Sequence, residues 1–272
     1  MHYQTYDPNN PELSELIRCY WVLQAPAEAM PEKQRIIPDG CMEMIFHYGD
    51  LYRQYATDGS SIVQPRCFVI GQLTEPLDIQ PTGETDIFSV RFQPNGFVPF
   101  TDMPLKNFEN LAVPLGEIFG EEGMALETAM LATTNDEERI RIVEQFLKNR
   151  LSNLENIDRV AKDVVATMLN INGQLSVQEL SAHLNINRKQ LERRCATTIG
   201  LSPKQLAKVI RLQAALKLLA NKQFTSLTSL AYEGEYYDQA HFIKDFKEFT
   251  GLTPKQFYSD NLKMSALFSA AE

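Results

Sequence analysis

The chain has 272 residues, enough for two domains of ordinary size, and its 44% hydrophobic and 22% charged content is that of a globular protein with a core in each. No run approaches the ~18 apolar residues of a membrane span, and the polar first ten residues lack the layout of a secretion signal, so the expectation is a cytoplasmic protein with no membrane partner. The net charge of −9 is unevenly divided: residues 1–169 carry 13 basic and 26 acidic side chains, residues 170–272 carry 13 and 9, the asymmetry expected when only one end meets a polyanion.

The chain to about Phe119 reads as strands. Cys41–Tyr48, Cys67–Gln72 and Ile87–Phe92 are β-rich runs set off by Pro38-Asp39-Gly40, Pro65, Pro81-Thr82-Gly83 and Pro94-Asn95-Gly96, a punctuation that predicts a sandwich or barrel. Helices are predicted over Glu121–Leu131 and Asp136–Arg150, the second with Ile140, Val143, Phe146, Leu147 and Leu151 at helical spacing and Asn135 as its cap. A third amphipathic stretch spans Leu154–Leu169. The expected class is α+β in two domains: a mainly β domain over 1–135, a helical linker over 136–169, and an all-α domain over 170–272. The linker stripe could pack under the β domain, the commoner fate, or form a dimer face.

The last part repeats itself. Gly200-Leu-Ser-Pro-Lys-Gln-Leu206 returns as Gly251-Leu-Thr-Pro-Lys-Gln-Phe257, and the same shift of 51 residues places Leu191 on Phe242, Cys195 on Phe246 and Ile199 on Thr250. Lys189 and Arg194 meet Ala240 and Asp245, positions read as solvent-facing because their character diverges. In the first copy Ser176-Val-Gln-Glu179 is a capping box, Asn187 caps a second helix, and Gly200 ends it. The second copy runs over Thr225–Tyr232, a turn through Gly234, and Asp238–Phe249 to Gly251. Ser202-Pro203 starts the connecting helix, which reaches about Ala220 and is roughly 27 Å long at 1.5 Å per residue. A short helix, a turn and a longer helix make the helix-turn-helix layout.

Arg188, Lys189, Arg193 and Arg194 gather near the start of the first copy's second helix, with Glu192 among them; such side chains suit phosphates and guanine edges. The matching face of the second copy, Asp238, Gln239, His241, Ile243, Lys244 and Lys247, is less basic. The plainer alternative is a helical repeat or bundle with a solvated face. Gln190-Leu-Glu-Arg-Arg194, Gly200-Leu-Ser-Pro203 and the run from Tyr237 to Pro254 resemble the DNA-binding domain of the AraC/XylS family of bacterial transcription regulators, over about Leu175 to Tyr258. The resemblance implies two helix-turn-helix units bridged by a long helix. Groove-facing positions would be Arg188, Lys189, Glu192 and Arg193 in one unit and Asp238, Gln239, Ala240, Ile243 and Lys244 in the other, with Arg194 and His241 beside them. It also implies double-stranded DNA and RNA polymerase as partners, and admits a homodimer and a small-molecule effector. Cys195 stands where the family usually has a large apolar residue. Arg35-Ile-Ile-Pro-Asp-Gly-Cys41, Val90-Arg-Phe92 and Gly96-Phe97 resemble sensor domains attached to such regulators.

Other chemistries lack their motifs. The four histidines form no H-x-H or H-E-x-x-H, and no phosphate-cradling glycine loop or nucleophile elbow occurs, so neither an enzyme nor a cofactor is expected. Cys19, Cys41, Cys67 and Cys195 are too far apart for a local zinc site and read as small core residues. Trp21 is expected in the core, with a pocket wall as the alternative. Arg91 sits inside an apolar run: pointing outward it is an ordinary strand charge, the favoured reading, and pointing inward it needs Glu43 or an anionic ligand beside it. The rival overall reading is a barrel-type binding protein or enzyme with an accessory helical tail.

Overall fold

The computed structural model describes residues 1–56, 58–151, 158–220, 229, 231, 236 and 238–260. Ten strands there form two antiparallel sheets. The larger runs β1 (His2–Tyr6), β2 (Ile17–Ala25), β9 (Thr85–Phe92), β4 (Glu43–His47), β7 (Cys67–Ile70) and β10 (Ala112–Pro114). The smaller runs β3 (Gln34–Ile36), β8 (Leu77–Pro81), β5 (Tyr52–Tyr55) and β6 (Ser61–Val63). A one-turn helix, α1 (Pro11–Ser14), follows β1.

β9 is central and covered on both faces, as its unbroken apolar run allows. Alternate residues of a strand face opposite sides. Phe88, Val90 and Phe92 enter the main core, whose other wall is helical: α2 (Leu115–Phe119), α3 (Glu121–Leu131) and α4 (Asp136–Arg150) supply Leu115, Leu126, Met130, Ile140, Val143 and Leu147. α4 therefore packs under the β domain, with Asn135 capping it by accepting the Glu138 amide at 2.9 Å. The other face of β9, with Ile87, Ser89 and Arg91, looks toward the smaller sheet.

The helical part follows the repeat closely. α5 (Arg159–Asn170), capped by Asp158, packs Val164, Val165 and Met168 into the first unit's core. α6 (Val177–His183) opens with the capping box: Ser176 Oγ accepts the Glu179 amide at 3.2 Å and Glu179 accepts the Ser176 amide at 2.8 Å. α7 (Arg188–Thr198) starts at the Asn187 cap, and Gly200 takes the left-handed φ of 80° that ends it. α8 (Pro203–Ala220) has the 18 residues expected. α9 (Gln239–Thr250) starts at the Asp238 cap and ends at Gly251, whose φ is 73°. α10 (Pro254–Asp260) follows. Leu191 and Cys195 of α7, Ile199 just after it, and Phe242, Phe246 and Thr250 of α9 are all buried, position for position. Even the caps repeat: Ser202 with Gln205 and Thr253 with Gln256 each exchange two bonds to backbone amides. The predicted helix Thr225–Tyr232 and the turn at Gly234 lie outside the described residues, apart from Ser229 and Ala231.

In α9 one position departs from expectation. Asp245 was read as solvent-facing, but it is 1% exposed. It faces α8, with Lys208 Nζ at 3.0 Å and an Arg211 nitrogen at 3.9 Å, which neutralise it in place of solvent.

Candidate nucleic-acid interface and cavity

The buried stripes of α7 and α9 leave the opposite rows outward. Arg188, Lys189 and Arg193 of α7 are exposed, and Glu192, half-buried, takes the Arg188 guanidinium at 2.8 Å, a bond along one helix face. On α9, Ala240, His241, Lys244 and Lys247 are exposed, with Asp238 ahead of them, while Gln239 and Ile243 are half-buried. His241 lies 3.4 Å from the buried Asp245. Arg194 differs from the rest: its guanidinium reaches Asp158 at 2.6 Å and so ties α7 to the start of α5. The predicted residues thus form one basic row on α7 and a sparser one on α9.

α8 joins the two rows. Leu206, Ala207 and Ile210 enter the core beneath α7, while Leu212, Leu216 and Leu219 enter the core beneath α9. Cys195 is fully buried in the first core, in the same cluster as Leu191, Ile199 and Leu206.

A family model described as a helix-turn-helix domain matches residues 180–259. The chain carries an AraC-type helix-turn-helix domain. A second model, described as a domain of unknown function (DUF6597), matches residues 4–114, the stretch of both sheets. The chain is similar to the HTH-type transcriptional regulator GbdR of Pseudomonas aeruginosa, 27% identical over 127 residues, covering 42% of this chain and 34% of that protein. It is also similar to an HTH-type transcriptional regulator of Haemophilus influenzae, 33% identical over 81 residues, 30% of this chain and 27% of that one. The matched stretch spans about a third of these relatives' length. Among solved structures, ToxT of Vibrio cholerae aligns over 95% of this chain and 98% of its own, at 12% identity and a TM-score of 0.47.

One junction between the β domain and the AraC-type domain is formed by β3 and the segment that follows it. Arg35 donates to the Thr250 carbonyl at 3.0 Å, Pro38 accepts from Gln213 of α8 at 2.8 Å, and Gly40, at φ 80°, lies against Leu206 and Val209. Gly40 also accepts the Gln72 amide at 2.9 Å.

Beside this segment a cavity of about 110 Å³ opens between the two sheets and is closed at one side by Gln213 and Leu216 of α8. Its walls are mainly apolar, among them Trp21, Leu23, Ile36, Ile45, Ile79 and Ile87. Arg91 lines it and is 6% exposed, which corrects the favoured outward reading: the smaller sheet covers the face of β9 from which Arg91 projects. Arg91 is hydrogen-bonded to Asp39, and its Nε lies 3.7 Å from Glu43. Trp21 is both a core residue and a wall, and its indole faces Glu43. Burial pushes the Glu43 carboxyl up to about 7, against the pull of Arg91. Farther in, His47 stacks on Tyr52 at 5.5 Å, and burial lowers its imidazole to about 4, so it is neutral. The sequence reading missed Asp39, taken as turn punctuation in Pro38-Asp39-Gly40, and His47, set aside as no metal ligand; Gln213 gave no signal at all. Among the described residues no group of three His, Cys, Asp or Glu is gathered for a metal ion, and no helix is long and apolar enough to cross a membrane.

Proposed function

We propose that the protein is a sequence-specific DNA-binding transcription regulator whose β domain receives a small effector in the cavity between its sheets. α7 and α9 enter successive major-groove segments, Arg188, Lys189 and Arg193 from one and Gln239, Ala240 and Lys244 from the other. What supports the reading above all is the pairing of two helices with the same buried stripe and outward basic rows, joined by one helix rooted in both cores. The effector acts through residues 35–40, which touch the cavity at Asp39 and the helical domain at Thr250, Gln213 and Leu206. Family resemblance extends the reading to contact with RNA polymerase, a dimeric state and action in the cytoplasm.

The test is binding of the full chain to genomic fragments across a salt series. With four unpaired basic side chains on the two rows, the logarithm of affinity falls with the logarithm of salt at a slope near about −4, and some fragments win over bulk DNA. Affinity indifferent to salt, or no preferred fragment, refutes it.

A further inference from the structure

The cavity has an unbalanced polar end. Asp39, Glu43 and Arg91 meet there, two carboxylates against one guanidinium. The other lining cation, Arg35, is already matched by Asp78 through two bonds of 2.7 Å. Arg91 is committed to Asp39, which leaves Glu43 with the Ser89 hydroxyl at 3.3 Å, the loose Arg91 contact and the indole of Trp21. One negative charge is in surplus whenever Glu43 is ionised, and the burial that lifts its carboxyl to about 7 makes that uncompensated charge costly. An anionic guest would add a third negative charge and would have to take Arg91 from Asp39. A cationic guest removes the surplus without breaking a pair.

The far end offers a second polar contact. His47 is 1% exposed, lines the cavity, and has both ring nitrogens without a hydrogen-bond partner; Gln64 lies beside the ring but outside bonding geometry. Glu43, Ile45 and His47 share one face of β4, so the two polar ends are about 13 Å apart along the strand at 3.3 Å per residue. The space between is apolar, and a volume near that of a benzene-binding cavity holds roughly one ring or a short chain.

We propose that the cavity takes a small molecule with a cationic amine or guanidinium head on an apolar body of about one ring, the head seated between Glu43 and Asp39. This rests on the reading of the cavity as the effector site, and adds the sign of the guest's charge. Trp21, the single tryptophan of the chain, lines the cavity and reports its filling.

The experiment titrates the full chain with matched pairs, phenethylamine with phenylpropionate and hexylamine with heptanoate, reading tryptophan emission and thermal midpoint. The amines are expected to give saturable changes and to bind about tenfold or more tightly than their carboxylate partners, the scale of one charged hydrogen bond. Glu43→Gln is expected to abolish that preference while leaving weak binding of both; if that variant does not fold, Asp39→Asn gives the same readout. Carboxylates binding as well as amines, an amine preference that survives both substitutions, or no saturable response to any probe overturns the proposal. The same preparation is assayed on DNA without probe: salt-dependent binding there with no amine response defeats this proposal alone, whereas an amine response with no DNA binding defeats the regulator reading.

Discussion

Arg35, in a strand of the smaller sheet, donates to the carbonyl of Thr250, the last residue of α9, at 3.0 Å, while two further bonds of 2.7 Å hold the same guanidinium to Asp78. A residue beside the cavity thus holds the end of a candidate groove-reading helix. The pair with Asp78 is about a third exposed, so little stability is at stake. Arg35→Ala is expected to change unfolding free energy by less than about 1 kcal/mol, yet to speed amide exchange in residues 246–252. Unchanged exchange there would show that the bond restrains nothing.

Arg193 and Arg194 are neighbours with different tasks. Arg193 is exposed on the outer row, whereas Arg194 bonds Asp158. Arg193→Ala is expected to cost about 1–3 kcal/mol of DNA affinity and to relax preference at one base position, with the thermal midpoint unmoved. Arg194→Ala should lower the midpoint and leave base preference alone. Selection from randomised DNA, run beside thermal melts, separates the two; a swapped pattern would reverse the assignment.

Asp245 gathers Lys208 at 3.0 Å, His241 at 3.4 Å and Arg211 at 3.9 Å around a carboxylate that is 1% exposed. Removing one member of such a group strands the others in a place shielded from water. Asp245→Ala is expected to destabilise the helical domain by about 3 kcal/mol, read as a lower urea midpoint. A loss under about 1 kcal/mol would mean that Glu248, which also takes Lys208, carries the group.

Two cavity residues pull stability in opposite directions with pH. Glu43, lifted mainly by burial from 4.5 to about 7, faces Arg91, Asp39, Ser89 and Trp21. The folded chain keeps its proton where the unfolded chain has released it, so this contribution is complete below about 4.5 and is lost as pH rises through 7. His47, lowered by burial from 6.5 to about 4, does the reverse: its contribution is present above 6.5 and is lost as pH falls toward 4. Relative to wild type, Glu43→Gln is expected to gain stability as pH rises from 4.5 to 7. His47→Gln is expected to gain as pH falls from 6.5 to 4, by up to about 3 kcal/mol. Melts at stepped pH decide; parallel curves for either variant exclude that residue.

The legible parts were those whose cause is local. Ser176, Asn187, Gly200, Pro203 and Gly251 mark helix ends through bonds made within a few residues, and the predicted bounds of α3, α4 and α8 hold. The outward rows of α7 and α9 followed from the same spacing. What escaped depended on distant partners. The inward turn of Arg91 is decided by the smaller sheet, whose strands, such as Gln34–Ile36 and Tyr52–Tyr55, are too short and polar to announce themselves. The burial of Asp245 is decided by Lys208, 37 residues earlier and on another helix. Asp39 looked like a turn residue, and it also bonds Arg91 in the cavity wall, between Pro38 and Gly40, which touch α8.

α8 gives Leu206 and Ile210 to one core and Leu212, Leu216 and Leu219 to the other, so neither unit can slide along the duplex without the other. In the proposed complex, with α7 and α9 in successive groove segments, the protein acts as a ruler of fixed length. Since a duplex turns once in about 10.5 base pairs, one pair inserted between the half-sites swings the second away by about 34°, and the ruler cannot follow. Operators for this chain should therefore tolerate many changes of letter between their half-sites and no change of length.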